Sequence, residues 1–241
     1  MCDACGTNGT IGRRGFLQGG AAAVAAMSLA GKARPARAAG GPTTSLTPDE
    51  ALAELEAGNE AYVRHPELCS LNLAAQREAT AAHQAPWATV IACADSRVPP
   101  ELIFGGRGVG ELFVARNAGN QVDVQTLGTI EYGAAVLGSP LIVVLAHTSC
   151  GAVKAACDVV KKNATFPGVI GIMIQPILPA ALAVRDMEGD YVNNAAKKNA
   201  ELIAGRLPAL SEVLAGLVRD GKLKIVPAIY DLKTGAVTFL G

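Results

Sequence analysis

The least ambiguous hydrophobic run in the chain is PLIVVLA, apolar without a break over residues 141–146 and β-branched at its centre, which predicts a strand buried on both faces. It runs straight into HTSCGAVKAACDVV, which takes helical spacing. WATVIA at 87–92 reads as a second buried strand, and ELFVARNAGN holds a shorter one ending in a polar, glycine-containing turn. LTPDEALAELEAGNEAYV opens with Thr47 as N-cap, Pro48 at the first helical position and Glu50 in the capping-box position, with Leu52, Leu55 and Tyr62 on one face. Further helices are predicted over 72–83, stopped before Pro86, and over VQTLGTIEYGAAVLG through Leu127, Ile130 and Val136. A helical region spans 177–219, with breaks expected at Gly189 and Pro208. KLKIVPAIYDLKTGAVTFL closes the chain as two strands joined through DLKTG. Strands alternating with helices predict an α/β domain: a central, mostly parallel sheet with an antiparallel edge strand, flanked by helices and preceded by a helical arm.

The first forty residues break this pattern. TIGRRGFLQGGAAAVAAMSLAGKARPARAAG carries Arg13 and Arg14, then Phe16, Leu17 and a weakly apolar Ala/Gly stretch, and ends in small residues. That order is the pattern of a secretory signal, and the adjacent arginines make it a twin-arginine signal. The expected division is a removed signal over 1–39 and one domain over 40–241, giving a periplasmic or otherwise exported chain that engages the twin-arginine machinery. No apolar run reaches the roughly 18 residues of a membrane span. Net charge is zero, the basic residues are scattered and aromatic residues are few, so nucleic acid is not an expected partner. Of six cysteines, Cys2 and Cys5 leave with the signal, and Cys69, Cys93, Cys150 and Cys157 remain. Cys150 and Cys157 are seven residues apart on one predicted helix, which separates their Cα atoms by roughly 10 Å, too far for a disulfide.

The chemistry concentrates where the two buried strands end. VIACADSRVPP at 90–100 delivers Cys93, Asp95 and Arg97 at alternate positions, and HTSC places His147 and Cys150 three apart at a strand-to-helix turn. In open parallel sheets, ligands bind in the crevice at the carboxyl ends of the strands. A helix N-terminus beside Cys150 is expected to lower its pKa. Two sulfurs and one nitrogen suit zinc, and three protein ligands leave a fourth position for water, as in catalytic sites. Taken alone, Cys93 and Cys150 read equally as buried core thiols and His147 as a satisfied core histidine. Asp95 and Arg97 shift that balance. Arg97 would hold Asp95 ionised, ready to accept a hydrogen bond from a zinc-bound hydroxide.

CADSR followed about fifty residues later by HTSC, with FVARNAGN and TIEYGAAVL between them, resembles a β-class carbonic anhydrase, and the similarity runs from TPDEALAELEAGNEAYV to YDLKTGAVTFL. The resemblance implies Cys93, His147 and Cys150 as ligands of one Zn2+ per subunit, and Asp95 with Arg97 as the catalytic dyad. It implies reversible hydration of CO2 to bicarbonate and a proton by attack of zinc-bound hydroxide, with hydrolysis of carbon disulfide or carbonyl sulfide on the same site as the alternative. Gln84 matches a glutamine that reaches substrate from across the dimer interface, and Phe113, Ala118, Tyr132 and Gly151 match the lining of a small apolar CO2 pocket. Ala118 stands where valine is usual, and Ala146 where glycine usually precedes the zinc histidine. Some bacterial members have a tryptophan three residues before the first cysteine, as part of an inhibitory bicarbonate pocket. This chain has Val90 there, with Arg116 and Tyr132 of that pocket present, which implies a form without bicarbonate inhibition. The family resemblance also implies a homodimer or higher multiple of dimers, with the N-terminal helix embracing the neighbour.

The export reading predicts a shortened chain in the periplasm of a bacterium with twin-arginine machinery; finding only the full-length form in washed cytosol would overturn it.

Overall fold

A computed structural model describes residues 43–65 and 73–241. The signal expected over 1–39, with Cys2, Cys5, Arg13 and Arg14, lies outside the described residues, as does Cys69.

Five strands form one sheet: β1 (Ala88–Cys93), β2 (Leu112–Asn117), β3 (Leu141–His147), β4 (Lys224–Tyr230) and β5 (Val237–Phe239), in the order β2-β1-β3-β4-β5. The first four neighbours run parallel and β5 returns antiparallel to β4. β1 and β3 lie inside the sheet, and every residue of both is buried. That is why they read as unbroken apolar runs rather than alternating ones. β2, at the edge, is only partly covered.

Parallel neighbours need long crossovers, and these supply the covering layers. β1 reaches β2 through a single short helix, α3 (Pro100–Ile103); α4 (Val124–Glu131) and a wider π-type turn (Tyr132–Val136) link β2 to β3. After β3 come α5 (Gly151–Lys162), α6 (Ile170–Ile174), α7 (Leu178–Ala183), α8 (Tyr191–Leu210) and α9 (Glu212–Arg219). One core packs Ile91, Ile142 and Val144 against Val153 of α5 and the small residues Ala195, Ala196 and Ala200 of α8. Short side chains at that contact let α8 approach the sheet closely. The opposite face packs Ala88, Val90, Ala92, Leu141, Val143 and Leu145 against Phe104 and, from α1 (Pro48–Arg64), Ala51 and Leu55. In the single chain, α1 therefore covers its own sheet. The capping box predicted at its start is present: Thr47 accepts from the Glu50 N–H, and Glu50 accepts from the Thr47 N–H at 2.8 Å.

Three boundaries differ from the sequence reading. α2 (Leu73–Thr80) ends three residues before the expected His83, because its last turn passes into three-residue bonds such as His83 N–H to the Thr80 carbonyl. Pro208 lies within α8, in its last turn, and the break falls instead at Ser211. There the serine hydroxyl caps α9, accepting from Leu214 N–H at 3.1 Å while donating to Glu131 at 2.6 Å, so a tertiary bond sets the boundary. Additional helical turns precede Ile177, in α6 and a 3-10 turn over Gln175–Ile177. Among the described residues, no helix is long and apolar enough to cross a membrane.

Asn59, buried on α1, ties three distant segments together. Its amide donates to the carbonyls of Ile103 at 3.1 Å and Gly235 at 2.9 Å, and its oxygen accepts from Val237 N–H at 2.8 Å. Asn59→Leu removes all three bonds and leaves the buried Ile103 carbonyl and the half-buried Gly235 and Val237 groups without them, so urea denaturation is expected to show a loss of about 2–4 kcal/mol.

Candidate metal centre

β1 ends at Cys93, whose side chain joins the core on the α8 side of the sheet with Ile91. The chain then leaves the ladder through Ala94, which still donates to the Asn117 carbonyl of β2 at 2.9 Å. The next residues fold into a tight turn: the Asp95 carbonyl accepts from Val98 N–H, and its carboxylate from Arg97 N–H, both at 3.0 Å. Arg97 adds a two-pronged pair from its guanidinium, Nε to Oδ1 at 2.9 Å and Nη2 to Oδ2 at 2.8 Å. Arg116, from β2, braces the turn from outside, donating to the Cys93 carbonyl at 3.0 Å and the Asp95 carbonyl at 2.6 Å. Arg97 holds the Asp95 carboxyl far below the usual carboxylate range, chiefly through its side-chain hydrogen bonds, which outweigh the opposing effect of partial burial. Asp95 is thus a fixed anion.

β3 ends at His147, which is wholly buried. Thr148 continues the pairing to the Tyr230 carbonyl, Ser149 turns with a φ of 55°, and Cys150 takes the N-cap position of α5. His147 Nδ1 lies 2.9 Å from the Thr148 carbonyl. A carbonyl only accepts, so Nδ1 carries the proton and Nε2 presents its lone pair. That Nε2 is buried and has no hydrogen-bond partner. The nearest carboxylate oxygen, Asp95 Oδ2, is 3.9 Å away, too far for a hydrogen bond.

The two strand ends bring Cys93, His147 and Cys150 together, with their donor atoms all within 4.8 Å of one another. The two sulfurs stand 3.9 Å apart. Two thiolates on one tetrahedral zinc, at bond lengths near 2.3 Å, would be separated by roughly 3.8 Å, so the donor set fits that ion in kind and in spacing. The contact with Cys150 draws the Cys93 thiol down to about 4, while burial pulls the other way. Cys150 is pushed up by the same contact and by burial, against the lowering expected from the helix N-terminus. The N–H groups of Val153 and Ala152 do pull it downward, but the contact with Cys93 and burial outweigh them.

Of the other expected positions, Ala118 follows β2 directly and Gly151 opens α5 beside Cys150, with open space where a side chain would project. Phe113 pairs with Thr89 in the sheet, four residues before the level of Cys93, or roughly 13 Å along the strand. Its ring packs against Tyr132, with centroids 6.1 Å apart, and Tyr132 is exposed. Gln84 is exposed between α2 and β1, and none of the described hydrogen bonds joins it to the cluster. Val90 is fully buried on the α1 side, the face opposite Cys93. The sequence reading missed Gly119, whose N–H donates to Cys93 Sγ at 3.3 Å with φ at 78°. Its signal was the glycine in the turn closing β2, since a backbone that approaches a ligand atom with positive φ favours that residue.

A family model described as Carbonic anhydrase matches residues 88–237, a span that contains the whole cluster. The chain belongs to the carbonic anhydrase family. It is 36% identical over 199 residues to carbonic anhydrase 2 of Mycobacterium tuberculosis, covering 79% of this chain and 92% of that protein. It is 35% identical over 173 residues to the carbonic anhydrase of Pseudomonas aeruginosa, covering 66% and 76% respectively. Among solved structures, a tetrameric β-carbonic anhydrase of Sordaria macrospora superposes with a TM-score of 0.62 at 25% identity, covering 77% of this chain and 91% of that one. A Coccomyxa β-carbonic anhydrase in complex with acetazolamide gives 0.60 at 25% identity, covering 82% and 87%. Fold, family and enzyme class therefore agree on a β-carbonic anhydrase.

A side chain at Gly119 would meet Ile177 Cδ1 at 2.7 Å and Ala152 Cβ at 3.2 Å, in a left-handed backbone. Gly119→Ala is therefore expected to lower unfolding stability by about 2–4 kcal/mol, measured by denaturant titration.

Proposed function

We propose that this carbonic anhydrase catalyses the reversible hydration of CO2 with a zinc ion held by Cys93, His147 and Cys150. The observation that carries the reading is the partnerless, buried Nε2 of His147 facing two sulfurs 3.9 Å apart. When bound, zinc supplies Lewis acidity that brings the pKa of water towards neutrality, less completely with two thiolates than with histidines alone. Asp95 accepts the proton of the attacking oxygen in a hydrogen bond and so aims its lone pair. Arg97 keeps Asp95 ionised and, by occupying both carboxylate oxygens, fixes the plane of that acceptor. The space left open beside Gly151, next to the ligand turn, and the short side chain of Ala118 would admit CO2.

The placement of Phe113, Tyr132 and Gln84 away from their own chain's cluster favours an assembly in which they serve a neighbouring subunit's site. A homodimer or multiple of dimers meets that need, and the Sordaria relative is tetrameric. With Val90 on the far face of the sheet and Asp95 paired to Arg97, the site is of the open kind, without a bicarbonate lock. The paired arginines Arg13 and Arg14 support export of the folded chain through the twin-arginine route. Carrying the metal already in place would shield two adjacent thiols from an oxidising compartment.

Stopped-flow CO2 hydration on metal-analysed protein tests this, run beside carbon disulfide and carbonyl sulfide hydrolysis. Cys93→Ser is expected to lose zinc and rate together. Asp95→Ala is expected to keep zinc and lose roughly 100-fold or more in kcat, as for removal of a positioned acid–base group. Zinc retained with full activity in Asp95→Ala, or turnover confined to the sulfur substrates, would overturn the reading.

A further inference from the structure

Cys93 ends β1, while His147 and Cys150 lie at the end of β3, with no covalent link between them; helix α8 bonds to the turn after β3 and to the turn after β2 that contacts Cys93. Ser149, between His147 and Cys150, has a φ of 55°, a conformation that residues with side chains hold only where their surroundings enforce it. Its N–H donates to Asn193 Oδ1 at 2.9 Å, from 44 positions further along the chain. Asn193 is fixed in its turn: it lies in the first turn of α8, and its own N–H donates at 2.7 Å to Asp190, the N-cap. Six residues on, Asn199 is a buried amide on a helix face otherwise lined by Ala195, Ala196 and Ala200. Nothing in that apolar packing calls for an amide, and an amide buried without partners is costly. Its partners lie in the turn after β2: Nδ2 donates to the Gly119 carbonyl at 3.2 Å, and Oδ1 accepts from Gln121 Nε2 at 3.1 Å. Gln121 also donates to the Gly119 carbonyl at 2.8 Å. Anchored by that carbonyl, Gly119 turns its N–H onto Cys93 Sγ.

We infer that Asn193 and Asn199 of α8 are positioning residues for the metal ligands: Asn193 holds the turn that carries His147 and Cys150, and Asn199 aims the Gly119 N–H at the Cys93 sulfur. The inference rests on the reading of those three residues as ligands. An N–H directed at a thiolate fixes its lone pair and reduces the electron density it gives a metal. Helix α8, which supplies none of the three ligands, therefore governs how tightly the metal is kept.

The test uses the zinc-loaded chain, with zinc release to a chelator followed by a chromogenic reporter, and the Co(II)-substituted chain, with thiolate-to-cobalt charge transfer followed by absorption. Asn193→Ala is expected to speed zinc release on the order of tenfold. Asn193→Asp, which keeps the acceptor oxygen, should release near the wild-type rate. Ser149→Gly added to Asn193→Ala should restore retention, because glycine takes the left-handed conformation without help. Asn199→Ala should move the charge-transfer band to longer wavelength as Cys93 becomes the stronger donor; if that variant fails to fold, the Asn193 series decides. Wild-type release from Asn193→Ala, no rescue by Ser149→Gly, or lower thermal stability with release and band unchanged would overturn the inference. Zinc bound by the wild type, lost in Cys93→Ser and indifferent to α8 would overturn it alone; metal content equal in the wild type and Cys93→Ser would overturn the ligand reading as well.

Discussion

A nitrogen lone pair and two sulfurs, all buried and within 4.8 Å of one another, form an arrangement that an apolar core has no use for. The imidazole has lost its water at Nε2 and found no protein donor, a desolvation cost that a hydrogen bond would normally offset. The sulfurs stand 3.9 Å apart, and the contact between them favours the thiolate form of Cys93. Each of these costs is relieved by one electrophile placed between them. The rest of the fold near this point serves to hold that convergence in place.

Sheet topology creates it. β1 and β3 are adjacent and parallel, so their carboxyl ends lie at the same edge, and the register places Cys93 and His147 at the last positions of their strands. Both strands are covered on two faces, one by α1 and Phe104 and the other by α5 and α8. A slip of one residue in either strand would exchange its side chains between the two cores, where they no longer fit, and carry the ligand to the opposite face. Core packing and ligand placement are therefore the same constraint.

The charged pair beside the cluster is built differently. Asp95 and Arg97 belong to one turn, two residues apart, and meet through a bidentate fork that needs no distant element. Arg116 from β2 then ties the carbonyls of that turn to the edge of the sheet. A mainly local pair set beside a cluster built by tertiary contacts lets the anion keep its geometry independently of the turns that bring Cys93, His147 and Cys150 together. Phe113 and Tyr132 stand on the partly covered edge strand and the turn after α4, outside this arrangement.

Much of this was legible in the amino-acid order because its causes are short-range. The Thr47–Glu50 capping box, the unbroken apolar run of β3, the DLKTG turn and the Asp95–Arg97 spacing each act within a few residues, where propensity, capping and period apply directly. The meeting of Cys93, His147 and Cys150 was legible too, since the carboxyl ends of parallel strands share one crevice. What only the tertiary structure decided depends on which groups meet across tens of residues. The rise of Cys150 comes from Cys93, 57 positions away, the helix break at Ser211 from Glu131, and the distance of Phe113 from the cluster from strand register. Asn199 reads in the sequence as one polar residue in an alanine-rich helix; only its meeting with Gly119, 80 positions earlier, gives it a task, because a hydrogen bond depends on position and angle that linear spacing does not carry.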